Sequence, residues 1–215
     1  MSIRAIAMGM GIVALAGGTA NAGVMFGSST VDFEGFGAGT VMSNQIPGMT
    51  ISAINNNGPD IAMIFDSSNW TGGDNDLQTP GYHPTNNQSL GKILIISEDG
   101  DSSDPDDEAD GGRLYFDLDF VAERLTGILV DIESSETYQV KLYRNGSEVF
   151  STGLVNGLGD NSLNPFDTGD IAGGFDKVRI KLSGSGAVGG LNFVPTPGTL
   201  ALLAGAGFLG ARRRR

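Results

Sequence analysis

Cysteine is absent from this 215-residue chain, so neither a disulfide framework nor a cysteine nucleophile is available to it. Histidine and tryptophan occur once each, as His83 and Trp70. A Ser-His-Asp set would have to use His83, which is followed by Pro84 and has no pattern around it that would orient a base. No G-x-S-x-G elbow occurs either. Basic residues are scarce: 13 Lys and Arg stand against 25 Asp and Glu, a formal net charge of −12. Such a field repels nucleic-acid backbones and anionic lipids, which excludes nucleic acid as a partner, and it attracts divalent cations. There is no internal repeat of fixed period, which argues against a propeller or β-helix. The body of the chain also lacks a persuasive amphipathic helix.

What is present in that body is strand. Apolar stretches of strand length recur at Val31–Phe33, Met49–Ile54, Ile61–Phe65, Ile93–Ile96, Leu114–Phe120, Leu125–Ile132, Tyr138–Tyr143, Glu148–Phe150, Lys177–Leu182 and Leu191–Val194. Leu114, Phe116, Leu118 and Phe120 alternate with Arg113, Tyr115, Asp117 and Asp119, and Val178, Ile180 and Leu182 alternate with Lys177, Arg179 and Lys181. Period two with one polar face predicts half-buried antiparallel strands. Asn145-Gly146 predicts a tight hairpin, because both residues tolerate the positive φ of a type I′ turn. Ile93–Ile96 and Leu125–Ile132 are apolar on both faces, as in strands from the middle of a packed sheet. The fold class expected is all-β: a two-sheet antiparallel sandwich of jelly-roll or lectin-like type.

The two ends read differently from the body. Met1–Ala22 has an early charge at Arg4, an apolar stretch from Ala5 to Gly18, and small residues Ala20 and Ala22 around Asn21. Those are the three parts of a secretory signal peptide, with cleavage after Ala22 and a mature chain from Gly23. At the other end, Val194–Thr199 is proline-interrupted and extended, Leu200–Ala211 is apolar or small throughout, and Arg212, Arg213, Arg214 and Arg215 follow. As a helix, the apolar run covers roughly 20 Å of a hydrocarbon core about 30 Å thick. It suits a temporary inner-membrane contact, oriented by the arginines on the cytoplasmic side. With the arginines of both ends set aside, eight Lys and Arg face all 25 Asp and Glu, a net charge near −17.

The tail resembles the PEP-CTERM sorting signal of exported bacterial proteins, on Pro195, Pro197, Gly198, the Leu/Ala/Gly-rich run and the terminal arginines. Thr196 stands where the family pattern usually has Glu. The resemblance implies removal by an exosortase-type membrane protease, in Gram-negative bacteria that make exopolysaccharide. It divides the chain into a signal peptide over 1–22, a β-sandwich domain over 23–193 and a sorting signal over 194–215. The body is similar to secreted lectin-like β-sandwich domains in MIFDS (Met63–Ser67), TGGDNDL (Thr71–Leu77), LIISEDGDSSDPDDEADGG (Leu94–Gly112) and GSGAVGGLNF (Gly184–Phe193). In related sandwiches the last strand often reads Asp-Asn-Leu, where this chain has Gly189-Gly190-Leu191.

Two long polar segments break the strand spacing, and both are candidates for function. Glu98, Asp99, Asp101, Asp104, Asp106, Asp107, Glu108 and Asp110 place eight carboxylates in thirteen residues with no base among them. A hard cation with six to eight oxygen ligands, which is the preference of Ca²⁺, would relieve their repulsion. One register puts Asp106, Glu108 and Asp110 at alternate positions, Gly111 at the turn, and Asp117 eleven residues after Asp106, in outline an EF-hand loop flanked by strands. A second uses Asp99, Asp101 and Asp104 with backbone carbonyls. The alternative is a solvated acidic loop. Asp66–Gly91 holds Trp70, Tyr82, His83 and the smaller acidic pair Asp74 and Asp76, which would join the same site if the two loops meet. Trp70 and Tyr82 are either sugar-stacking rings or plugs beneath the loop.

These observations point to an exported cell-surface or matrix protein, not an enzyme, with a binding or structural role beside secreted polysaccharide. The alternatives are a carbohydrate-binding module with a defined glycan, and a secreted polysaccharide hydrolase or lyase working through a carboxylate pair.

Overall fold

The computed structural model describes residues 29–196. The signal-peptide segment with Ala20 and Ala22, Pro197, the apolar run and Arg212–Arg215 lie outside the described residues, so the expected flanking helices do too.

Eleven antiparallel strands make up the described chain: β1 (Ser29–Val31), β2 (Met49–Asn55), β3 (Ala62–Asp66), β4 (Lys92–Ile96), β5 (Gly112–Val130), β6 (Thr137–Arg144), β7 (Ser147–Ser151), β8 (Val155–Asn156), β9 (Leu163–Asp167), β10 (Phe175–Leu182) and β11 (Ala187–Pro195). The single helical piece is a 3-10 turn at Asn75–Leu77. The architecture is all-β. Asn145 and Gly146 both take positive φ, 49° and 80°, and join β6 to β7.

Two separate sheets were expected; hydrogen bonding instead joins all the strands into one. The reason is β5. Its 19 residues absorb what the sequence pattern divides into Leu114–Phe120 and Leu125–Ile132. Residues 112–117 run between β2 and β10, and residues 126–130 run between β11 and β9. At the handover the register slips: Val194 pairs with Arg124 and Pro195 with Ala122, leaving Glu123 as an extra residue. One extra residue inverts the alternation and bends the strand. Leu114, Phe116, Leu118, Phe120 and Ala122 therefore face the core on one side of the bulge, and Leu125 and Leu129 on the other.

The sheet folds over at that bend, so that its two halves pack face to face. Phe193 of β11 meets Phe120 edge-on at 6.2 Å and Phe175 of β10 at 6.4 Å, so rings from both halves share one core. A second cluster lies on the outer face of the half built from β3, β4, β11, β5 and β9. It comprises Met63, Phe65, Ile93, Ile95, Val130, Leu163 and Ala187, with Leu77 from the Asp66–Gly91 loop fully buried above them. This explains the double-faced apolar runs: Leu94 and Ile96 face the main core, Ile93 and Ile95 the second one. The long loop is thus a lid on the outer face. Its base is fixed where Ser67 Oγ meets Thr79 Oγ1 at 2.6 Å and donates to the Gly91 carbonyl at 2.7 Å.

Candidate functional site

The two long loops meet at one end of the sandwich. Thr71 Oγ1 donates to the Pro105 carbonyl at 2.9 Å, Gly72 N–H to Asp104 Oδ1 at 2.8 Å, and Asp107 N–H to Asp74 Oδ2 at 2.8 Å. Asp74 and Asp106 therefore stand side by side, as the sequence allowed if the loops met. Asp66 does not join them; it pairs with Lys92 at 2.7 Å.

The acidic loop is ordered by its own carboxylates. Asp99 Oδ1 accepts the Asp101 N–H at 2.7 Å, Asp101 Oδ1 the Ser103 N–H at 2.8 Å, and Glu108 Oε1 the Asp110 N–H at 2.9 Å. Short acidic side chains folding back on nearby N–H groups make turns of this kind, and the hydrogen bonds offset part of the repulsion expected from eight like charges. The structure does not gather Asp106, Glu108, Asp110 and Asp117 around one point. Asp117 lies five residues into β5, about 17 Å along the strand from Gly112, and is ion-paired to Lys177 at 3.0 Å. Glu108 is buried, whereas Asp99, Asp101, Asp104 and Asp110 are exposed.

The carboxylates that do converge come from three separate loops. Asp76, Asp131 and Asp160 each present an oxygen within 4.8 Å of the others. Asp131 directly follows β5 with φ at +58°, and its side chain is 1% exposed. Its Oδ1 accepts the Asn161 N–H and its Oδ2 accepts Ser185 Oγ at 3.2 Å. The same Ser185 hydroxyl lies 2.9 Å from Asp107 Oδ2, so a continuous polar chain runs from Asp74 through Asp107 and Ser185 to Asp131. Asn161 ties this end to the long loop: its Oδ1 accepts the Tyr82 N–H at 2.7 Å and its Nδ2 donates to the Gln78 carbonyl at 2.9 Å.

No cation compensates these groups among the described residues, whose ion pairs all lie elsewhere. Burial pushes Asp131 up to about 7, and the charges of Asp76 and Asp160 add to that against the Asn161 N–H and the Ser185 hydroxyl. Burial likewise raises Asp74 to about 6, with Asp76 and Asp106 contributing. Asp106 rises to about 6 through burial and the charges of Asp99, Glu98 and Asp104. Asp107 goes well above the ordinary carboxylate range through burial and the charge of Asp74. One oxygen each of Asp76 and Asp106 is buried with no hydrogen-bond partner. Hard oxygen ligands, like charges and orphaned oxygens are the donor set that Ca²⁺ takes. Asp76, Asp131 and Asp160 could hold it. Of these, only Asp76 was singled out by the sequence pattern.

The aromatic candidates are both on the surface. Trp70 is 44% exposed and Tyr82 61%, while the plug under the loop is Leu77. Tyr82 Oη donates to Asp160 Oδ1 at 2.5 Å, which fixes an exposed ring to a member of the carboxylate cluster. His83 Nδ1 is engaged by Thr85 Oγ1 at 2.9 Å. Pro195 ends β11 opposite Ala122, and Thr196 N–H donates to the Val121 carbonyl at 2.9 Å, so the first part of the expected sorting motif is attached to the sheet.

No protein-family model and no curated protein matches the chain. Among solved structures it is similar to the K1 cleaved adhesin domain of Lys-gingipain from Porphyromonas gingivalis W83, at 11% identity and a TM-score of 0.39, over 78% of this chain and 95% of that one. It is similar to CpGH89CBM32-6 of Clostridium perfringens at 12% identity and a TM-score of 0.34, covering 70% and 95% of the two chains. A family 6 carbohydrate-binding module aligns at 18% identity and a TM-score of 0.32, covering 62% and 93%. At these scores the similarities are loose ones of β architecture.

Proposed function

We propose that this protein is exported and acts at the cell surface or in the extracellular matrix, where its lectin-like sandwich binds or organises secreted polysaccharide without catalysing a reaction. The observation that carries this reading is the Tyr82–Asp160 contact. An exposed aromatic ring of the kind that stacks on sugars is locked to a carboxylate cluster suited to Ca²⁺, so cation binding and ligand presentation share one residue. Ca²⁺ at Asp76, Asp131 and Asp160 would stiffen the Tyr82 segment through Asp160 and Asn161. Export and sorting rest on the terminal sequence patterns, with an exosortase-type protease cutting near Pro197.

The test is retention of purified protein on immobilised exopolysaccharide, in Ca²⁺ and in chelator, beside Tyr82→Ala. Binding that is strong in Ca²⁺ and weakened both by chelation and by the substitution supports the reading. Absence of binding to any glycan, or turnover of the polysaccharide, overturns it.

A further inference from the structure

Two depressions on the outer face together form one trough. The larger, about 500 Å³, lies over β1, β5, β9 and β11 beside Ser89 and Leu90 of the long loop. The smaller, about 230 Å³, is bounded by Gln88, Leu158 and Leu163. Ile128 and Pro165 line both, so the two lie side by side along the sheet. The strands crossed are β9, β5, β11 and β1 in that order, three inter-strand steps or about 14 Å. Leu158, at the far end, is 52% exposed, and Gly159 beside it approaches His83, next to Tyr82. The trough therefore runs from the exposed aromatic corner to β1.

Two glycines in its floor sit where β11 slips register, Val188 pairing with Leu129 and Gly190 with Ile128, so that Gly189 is an extra residue. Neither Gly189 nor Gly190 takes a positive φ. A Cβ at Gly189 would strike Leu90, so that glycine lets the loop settle on the sheet. A Cβ at Gly190 would meet only the Val31 carbonyl at 3.4 Å, and it would otherwise enter the open trough. Gly189 is accounted for by the bulge and the loop above it, and Gly190 beside it leaves the floor of the trough open. The walls support a ligand of mixed character. Leu90, Ile128 and Pro165 supply apolar surface, while the side chains of Gln88, Ser89 and Thr126 make no hydrogen bond among the described residues. A few solvent-facing polar side chains around an apolar floor is the composition of a small-molecule site.

Charge selects among candidates. Asp32 is the one charged side chain lining either depression, and the domain around it is strongly acidic. A uronate, sulfate or phosphate would meet repulsion with no cation to offset it. An uncharged sugar chain has CH-rich ring faces for the floor and hydroxyls for Gln88, Ser89 and Thr126. We infer that the trough is a binding groove for a linear, uncharged glycan, lying across β9, β5, β11 and β1 over Gly190. This rests on the polysaccharide-binding reading above and gives it a place and a ligand class.

The experiment is calorimetric titration of the full mature protein with linear gluco-, xylo- and manno-hexasaccharides, beside oligoalginate and oligogalacturonate. At least one neutral hexamer should bind and neither anionic oligomer should. Gln88→Ala with Ser89→Ala should weaken that binding about tenfold through lost hydrogen bonds. Thr126→Trp should abolish it by filling the trough, and Leu154→Ala, on the exposed β7–β8 connection outside the groove, should leave it unchanged. If Thr126→Trp fails to fold, the exposed double variant still decides. Neutral-glycan binding lost in Tyr82→Ala but intact in both groove variants overturns the groove while leaving the surface-binding reading standing. Preference for the anionic oligomers overturns the ligand class, and binding of none overturns both.

Discussion

Asp131 carries the strongest consequence of the buried acidic chain. Its carboxyl is 1% exposed, close to Asp76 and Asp160, and held by the Asn161 N–H and Ser185 Oγ. A carboxylate whose folded pKa lies above its unfolded value stabilises the fold fully below the unfolded pKa, and that stability is lost as pH rises through the folded one. For Asp131 the window runs from 3.8 to about 7. Asp74 and Asp106, each raised to about 6, act in the same direction. Asp167 is lowered to about 2 by its hydrogen bond to Arg124, and its contribution is already complete above pH 4. In chelator, the protein should therefore be more stable at pH 5 than at pH 8.

Replacing Asp131 by Asn removes the charge and keeps the shape, including an oxygen for the Asn161 N–H. The rise from 3.8 to about 7 corresponds to about 4 kcal/mol at ~1.4 kcal/mol per tenfold change. The weaker hydrogen bonds of a neutral acceptor reduce that, so Asp131→Asn should stabilise the cation-free protein by roughly 1–3 kcal/mol at pH 8. For a domain of this size that is about 3–10 °C in Tm. At pH 5 the difference should be small. Melting curves in chelator between pH 5 and 8.5 read this directly. Wild-type stability that increases across that range, or a variant less stable than wild type at pH 8, would refute the reasoning.

Other outcomes follow from the same geometry. Millimolar Ca²⁺ added at pH 8 should raise the wild-type Tm by several degrees, since a cation at a hundredfold its Kd contributes about 2.7 kcal/mol, whereas Mg²⁺ should do much less. That rise should vanish in Asp131→Asn but survive Asp106→Ala with Asp110→Ala, because Asp110 is exposed and outside the converging cluster; loss in the double variant would move the site into the acidic loop. Leu77→Ala should cost about 2–5 kcal/mol, since the side chain is fully buried in the second core, where the lid's other apolar contact, Leu90, is only partly buried. Intact mass of the secreted protein should show a chain beginning at Gly23 and lacking Arg212–Arg215; retention of those arginines would contradict sorting.

Most strands were legible because their apolar residues alternate, and the β6–β7 turn because Asn145-Gly146 is specific for its backbone. Three features were not, the first being β8, Val155–Asn156, which is too short to show an alternation. β9, Leu163–Asp167, contains Asn164 and Pro165 and reads as loop, yet it pairs only with β5, and proline is tolerated on such an edge. The bulge at Glu123 leaves no mark in the pattern except that the alternation changes phase between Phe120 and Leu125. At the site, Asp74 and Asp76 could be associated with the acidic loop because both segments are long and polar. Asp131 and Asp160 could not, since Asp131 falls inside the stretch Leu125–Ile132 that reads as strand, Asp160 is a single acidic residue in a polar turn, and only the folded chain brings them to Asp76. The positive φ at Asp131 and Asn161 is the structural signature of that convergence, and sequence shows only that Asp and Asn tolerate it.

The most direct measurement is the affinity of the mature protein for a linear neutral glycan, titrated at pH 7.5 in Ca²⁺ and again in chelator. Binding should be saturable in Ca²⁺, weaker in chelator, and weaker in Tyr82→Ala than in wild type in Ca²⁺. A protein that folds normally, responds to Ca²⁺ in its melting curve, and still binds no glycan in either buffer would contradict the claim that this surface serves polysaccharide.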